Sequence, residues 1–219
     1  MEILEFRKIT TQDIYDNLYN SHYEVHGKPW SRIYEYPLVI NQIKKFYKPN
    51  YKIHNSSWGF EGVHITFKNK LDELFKNIYH SDIIKSQLKN TFIYDITKRP
   101  NEDEIEKYDI LINVSTLEEV NHDHIDIFNN LLMQLKKGGI LIITFDLYAK
   151  KVNTIKYLIS KKYRQKITSE KRRVLQLKQF EALFKKRIET QGVALNGENS
   201  NLQNMNYKHL NCGLMVIRK

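Results

Sequence analysis

Short aliphatic runs and helically spaced apolar stripes take turns along most of this chain. The clearest case is YDILINVSTLEEVNHDHIDIFNNLLMQLKKGGILIITFDL, residues 108–147. Asp109–Val114 is an aliphatic run ending in Ser115 and Thr116, the pattern of a strand buried on both faces. Ile125, Phe128, Leu131, Leu132 and Leu135 recur at helical spacing and predict a helix over His124–Leu135. Lys136 and Lys137 fall where cations favour a helix C-terminus, Gly138–Gly139 supplies the stop, and Ile140–Phe145 is a second buried strand. A strand–helix–strand crossover on a parallel sheet follows.

The same alternation extends upstream. Tyr51–Asn55, Ile78–Ile84 and Thr91–Ile96 predict three strands, with a helix over Val63–Lys76 and a short acidic helix in NEDEIEKY. Before them, Thr10 or Thr11 can cap a short helix over Thr11–Asn20. Ser31 can cap Arg32–Tyr47, where Ile33, Tyr36, Val39, Ile40, Ile43 and Phe46 form one stripe and Pro37 predicts an irregular start. Downstream, Val152–Lys162 and Thr168–Glu189 are helical in pattern, Asn196–Asn206 is polar loop and Gly213–Arg218 is a terminal strand. Strands alternating with helices from Tyr51 to Phe145 predict a doubly wound α/β sheet. No repeat and no Pro- or Gly-rich linker divides the chain, so one domain is expected over 1–219: an N-terminal helical cap, 1–49, on an α/β core, 50–219.

Composition narrows this picture. With 219 residues and 41% hydrophobic content the chain can bury a core of its own. Its single cysteine, Cys212, excludes an internal disulfide framework and a cysteine-based metal site. No signal peptide and no run of about 18–20 apolar residues is present, so a cytoplasmic protein without a membrane partner is expected. The net charge of +10 has two readings, a nucleic-acid partner or a lysine-rich coding bias. Lys161–Arg173 (KKYRQKITSEKRR) can either follow a phosphate backbone or form the wet face of a helix. No feature of the sequence sets an oligomeric state.

The central segment resembles a known family. Class I S-adenosylmethionine-dependent methyltransferases carry, at their fourth and fifth strands, an apolar run followed by S-x-LEH-V, then a helix, L-K-x-GG and an aliphatic strand. Here it stands as YDILINVSTLEEV and LLMQLKKGGILIITF, with Glu119 where the family often has His. WSRIYEYPLVINQI is also similar to the helix preceding the sheet in methyltransferases that act on small molecules and saccharide precursors. The resemblance implies a Rossmann-like, mostly parallel sheet of about seven strands with an antiparallel C-terminal strand. It implies S-adenosylmethionine as cofactor and a small-molecule or saccharide-type acceptor.

It also implies a site at the C-terminal strand ends, where open α/β sheets bind ligands. The family's first loop is an acidic residue and G-x-G-x-G; this chain has HNSSWGFEG, leaving Gly59 and Gly62, with Ser56 or Ser57 in place of the first glycine. That loop either binds cofactor or is a tight turn without a ligand. Asp82 falls where the family bonds both ribose hydroxyls, or caps a helix beginning near Ile84. Asp95 falls where the adenine amino group is bound, or caps a turn before Pro100. Asn113–Thr116, with Ser115 among them, ends the fourth strand beside the expected sulfonium. Arg32 can pair with the cofactor carboxylate, or with Glu35 inside its own helix. His122, His124, Glu118 and Glu119 lie near the site, and none is assigned as catalytic base. His122-Asp123-His124 places its two imidazoles on different helix faces, so no metal is expected. A reduced glycine loop also fits a methyltransferase-like scaffold that has lost its cofactor.

Overall fold

The computed structural model describes residues 1–18, 24–25, 28–29, 31–59, 63–147, 177–188 and 212–219. Its elements in chain order are β1 (Glu2–Lys8), α1 (Thr11–Leu18), the small ladder of β2 (Glu24–Val25) and β3 (Lys28–Pro29), and α2 (Arg32–Phe46). β4 (Ile53–Ser56), α3 (Val63–Leu74), β5 (Ile78–Asp82) and β6 (Thr91–Ile93) follow. Then come β7 (Tyr108–Val114), α4 (His124–Gln134), β8 (Leu135–Asp146), helical residues 177–184 and β9 (Cys212–Arg218). Seven strands form one sheet in the order β1-β9-β8-β7-β4-β5-β6. β4 to β8 are mutually parallel, and β9 runs antiparallel between β8 and β1. The predicted doubly wound, mostly parallel sheet is therefore present.

Strand alternation sorts the core onto the two faces. Ile110, Ile112, Ile140 and Ile142 meet Ile33, Val39, Ile43, Phe67 and Leu71 of α2 and α3. Leu111, Leu141, Ile143 and Phe145 meet Phe128 and Leu131 of α4 and Phe180 and Phe184. Each such side chain contributes about 1.5–3 kcal/mol when fully buried, so β7 and β8, apolar on both faces, anchor the three layers. Gly213 is required by one close approach: a Cβ there would lie 2.5 Å from the Phe145 ring stacked across the ladder.

Three local expectations are corrected. Glu2–Lys8, expected within a helical cap, is the edge strand β1, paired with β9 from the far end of the chain. A register shift between Ile3 and Glu5 breaks its alternation, which is why the local pattern does not read as a strand. Lys136 and Lys137 do not finish α4, which stops at Gln134. They open β8, where both Asp109 carboxylate oxygens accept from Lys136 Nζ at 2.9 Å and Gly138 N–H donates to the Lys219 carbonyl. Sheet pairing overrides the helix stop. Ser31 makes no side-chain cap, because its hydroxyl is drawn to the neighbouring Arg32 and Glu35.

The cap expected at Thr10 forms, and α4 has one at Asp123 that was not expected. Thr10 Oγ1 accepts the Asp13 N–H while the Asp13 carboxylate accepts the Thr10 N–H, a reciprocal box at α1. Asp123 accepts from Ile125 and Asp126 at the start of α4. The acidic helix expected in NEDEIEKY is a single 3-10 turn, Glu102–Glu104. Among the described residues no helix is long and apolar enough to cross a membrane. The stretches expected as Val152–Lys162, Lys161–Arg173 and Asn196–Asn206 lie outside the described residues.

Chain order reverses between β4 and β7, and beneath that point lies a buried polar seam. Asn55 Nδ2 donates to His80 Nδ1 at 3.1 Å, which leaves His80 Nε2–H to donate to Asp72 at 3.1 Å on α3. Lys68 donates to the other Asp72 oxygen. His54 bonds Ser81 at 2.7 Å among the rings of Phe92, Tyr94 and Tyr108. Burial lowers His54 to about 3 and His80 to about 4, so both fold as neutral imidazoles. Their contribution is complete above the ordinary histidine value near 6.5 and is lost as pH falls towards 4. Each imidazole that must charge steepens that fall by about 1.4 kcal/mol per pH unit. Urea unfolding at stepped pH is expected to show it, with His54→Asn giving a lower but flatter stability profile below pH 6.5.

Candidate active site

A cavity of about 700 Å³ opens at the C-terminal ends of β4 to β8, with α2 and α3 over it. Topology places it there: β5 and β6 leave β4 on one side and β7 and β8 on the other, so the loops after β4 and β7 diverge. Two residues at these ends have left-handed backbone without being glycine, Ser57 (φ 57°) after β4 and Ser115 (φ 41°) after β7. Such conformations cost free energy and persist where surrounding structure imposes them.

The β4–β6 side carries most of the residues expected to hold a cofactor. Asp82, at the end of β5, accepts from Gly59 N–H at 3.0 Å and from Ile84 N–H at 3.3 Å. No helix begins at Ile84, so Asp82 braces a turn and the β4 loop rather than capping a helix. Gly59 has φ +63°, and a Cβ on it would lie 2.9 Å from the His64 ring. Asp95 accepts the Thr97 N–H at 2.9 Å and the Thr97 hydroxyl at 2.7 Å; these bonds hold its carboxyl below the usual range. The turn-capping geometry weighed for Asp95 is thus present, and the residue also lines the cavity. Ser57 lines it; Ser56 is buried in β4, its hydroxyl without a partner, and does not. Gly62 lies outside the described residues. Ile83, Ile96 and Val120 supply an apolar wall.

The other side is built from buried charge. Arg32 and Glu35 of α2 are 6% and 0% exposed and form an ion pair. Ser115 donates to Glu35 at 2.6 Å, and Arg32 reaches the Ser115 carbonyl at 3.4 Å, so the pair ties α2 to the end of β7. Burial opposes charge on both, but Glu35 raises the Arg32 pKa further and Arg32 holds Glu35 below the usual carboxylate range. The intrahelical pairing weighed for Arg32 is therefore the one observed, although Arg32 also lines the cavity. Glu118, 1% exposed, accepts the Asp146 N–H at 3.2 Å. Burial and then the Asp146 charge push its carboxyl well above the usual range. Above them Tyr36 stacks on Phe67, ring centroids 3.8 Å apart, and its hydroxyl bonds His64, which burial and the Arg32 charge lower to about 4.

The structure thus gathers Arg32, Ser57, Gly59, Asp82, Asp95 and Ser115 around one cavity and leaves Ser56 outside it. Of the four groups left unassigned as base, Glu118 and Glu119 line the cavity. His122 turns outward beside Asp126, and His124 is buried against Gln179. His64, Phe67 and Asp146 also line the cavity and were not anticipated. Asp146 had a local signal, a carboxylate directly after the aliphatic strand Ile140–Phe145. His64 had none, since α3 reaches the cavity only by packing on α2.

No family model matches the sequence and no curated protein matches it. Solved structures do match. The plantazolicin methyltransferase BpumL, in complex with a triazolic desmethylPZN analog and SAH, aligns with a TM-score of 0.53 at 15% identity, over 95% of this chain and 90% of that one. Its fold is a methyltransferase fold. The MccD protein aligns with a TM-score of 0.51 at 12% identity, over 83% of this chain and 96% of that one. The CMeT domain of citrinin polyketide synthase matches at 10% identity and a TM-score of 0.48; this chain spans 50% of its length. In this chain the sheet edge beside the antiparallel β9 is formed by the N-terminal β1.

The buried ion pair gives a direct test of how this side of the cavity is held. Arg32→Met leaves Glu35 buried without its cation and is expected to lower stability by about 3–5 kcal/mol. Adding Glu35→Gln is expected to recover much of that loss, read as urea midpoints of the single and double variants.

Proposed function

We propose that this chain is an S-adenosylmethionine-dependent methyltransferase acting on a small-molecule or saccharide-type acceptor. The observation that carries the reading is Asp82, a carboxylate at the end of β5, bonded to the Gly59 N–H of the loop after β4, beside the switch point of a methyltransferase fold. A carboxylate at that place has lone pairs for a ribose diol beyond those used by Gly59 and Ile84. Asp95 and the apolar wall of Ile83, Ile96 and Val120 suit a nucleobase beside it. Hydrogen in place of Cβ at Gly59 keeps the loop clear of His64. The residues present therefore fit the cofactor even though the glycine loop is reduced.

A cavity of about 700 Å³ falls within the range of about 300–1,000 Å³ usual for small-molecule sites. When bound, the cofactor would supply an activated methyl group, so the protein's work is to position the acceptor and exclude water. Tyr36 and Phe67 close the site from above, and the Arg32–Glu35–Ser115 link fixes the wall at β7.

Calorimetric titration with S-adenosylmethionine and S-adenosylhomocysteine tests the reading. Micromolar binding is expected, weakened about 10- to 100-fold by Asp82→Ala, the loss of one or two hydrogen bonds to a charged group. No heat from a folded protein would overturn it and favour the scaffold reading of the reduced loop.

A further inference from the structure

At the end of β4 the buried polar seam meets the cavity. Asn55 is 2% exposed and lines the cavity, whereas His80, Asp72 and Lys68 behind it do not. Its Nδ2 is engaged by His80 Nδ1. Among the described residues nothing donates to its Oδ1, and that oxygen is not one of the enclosed atoms without a partner. The small accessible part of Asn55 therefore includes its amide oxygen, and it opens where Asn55 meets the cavity.

Which end of the amide faces the cavity is decided on α3. Lys68, 3% exposed, donates to Asp72 Oδ2 at 2.6 Å. A carboxylate paired with an ammonium has only acceptors to offer, so His80 Nε2, 3.1 Å from Asp72 Oδ1, carries the imidazole proton. Burial keeps His80 neutral, which leaves a lone pair on Nδ1. Only the NH2 end of Asn55 can meet that lone pair, so the oxygen is turned the other way. Each buried group in the line has one hydrogen-bonding sense left to it, and Asp72 sets the first.

Resting on the methyltransferase reading of this cavity, we infer that Asp72 and His80 are positioning residues that set the polarity of the cofactor site: they hold Asn55 with its oxygen to the cavity, as the acceptor for the ammonium of the cofactor's amino-acid moiety. S-adenosylmethionine carries three kinds of donor, the adenine amino group, the ribose hydroxyls and this ammonium. The proposed function gives the first two to Asp95 and Asp82. Asn55 is the acceptor at the β4 end of the same wall, at the start of the loop whose Gly59 N–H is bonded to Asp82. With the other tautomer of His80 the amide would turn over and set an N–H donor against the ammonium.

The test is binding to the whole chain, without turnover. S-adenosylhomocysteine and its analogue with hydrogen in place of the amino group are titrated calorimetrically. The parent is expected to prefer the amino form about 10- to 100-fold, the worth of one hydrogen bond from a charged group. Side-chain nitrogen–proton correlation spectra of the parent are expected to show His80 as the Nε2–H tautomer. Neither measurement needs a variant. Asp72→Asn keeps the shape but reverses the line: Lys68 draws the new amide oxygen, its NH2 faces His80 Nε2, and the His80 proton moves to Nδ1. That variant is expected to lose about 10-fold of the preference while the deaminated analogue binds as it does to the parent. Adding Asn55→Asp, which accepts at either oxygen, is expected to restore it. Equal binding of the two ligands by the parent, a parent His80 protonated at Nδ1, or an unchanged preference in Asp72→Asn would each overturn the inference. A parent protein that binds neither ligand nor S-adenosylmethionine would instead bring down the methyltransferase reading itself.

Discussion

The buried pair of Arg32 and Glu35 is the constraint on which the rest of the site depends. A charge without water is tolerated only when it is neutralised and its remaining hydrogen bonds are made. Here the guanidinium and carboxylate answer each other, and Ser115 completes Glu35 from the end of β7. The pair therefore does what apolar packing alone does not: it fixes α2 against the sheet in one register. That register brings Tyr36 over Phe67 and His64 and forms the upper wall of the cavity.

With that wall in place the two sides of the cavity differ in kind. On the β4–β6 side, short polar loops offer backbone N–H groups and carboxylates already braced by local bonds, as Asp82 is by Gly59 and Asp95 is by Thr97. They are braced and part-solvated, as the proposed cofactor site requires. On the β7–β8 side, charge is buried, with Arg32 paired to Glu35 and the enclosed Glu118 carboxylate accepting the Asp146 N–H. Desolvation and the neighbouring Asp146 charge shift the Glu118 carboxyl away from its ordinary behaviour there.

The antiparallel edge of the sheet also has a physical account. β9 is buried throughout its first six residues because it is paired on both sides, by β8 and by β1. β1 closes that edge with a seven-residue strand that carries charge along its length, Glu2 exposed and Glu5, Arg7 and Lys8 half-buried. The polar seam of His54, Ser81, Asn55 and His80 under the switch point holds β4 and β5 together by side-chain bonds where α/β cores are otherwise apolar.

What the sequence determined by itself was whatever its local periodicity encodes. The aliphatic runs of β7 and β8, the stripes of α2 and α4 and their order were legible because burial on both faces or on one leaves a pattern within a dozen residues. The cofactor-side carboxylates were legible for a related reason, since Asp82 and Asp95 end or follow strands and strand ends converge in this topology. Tertiary structure decided the rest. β1 pairs with residues some 210 positions away, so nothing near it in sequence marks it as a strand. The last turn of α4 gave way to sheet pairing with Asp109 and Lys219, partners its own segment does not contain. Arg32, Glu118, Asp146 and His64 take their chemistry from burial beside one another, on four different elements. Desolvation and mutual charge exist only once those elements are packed.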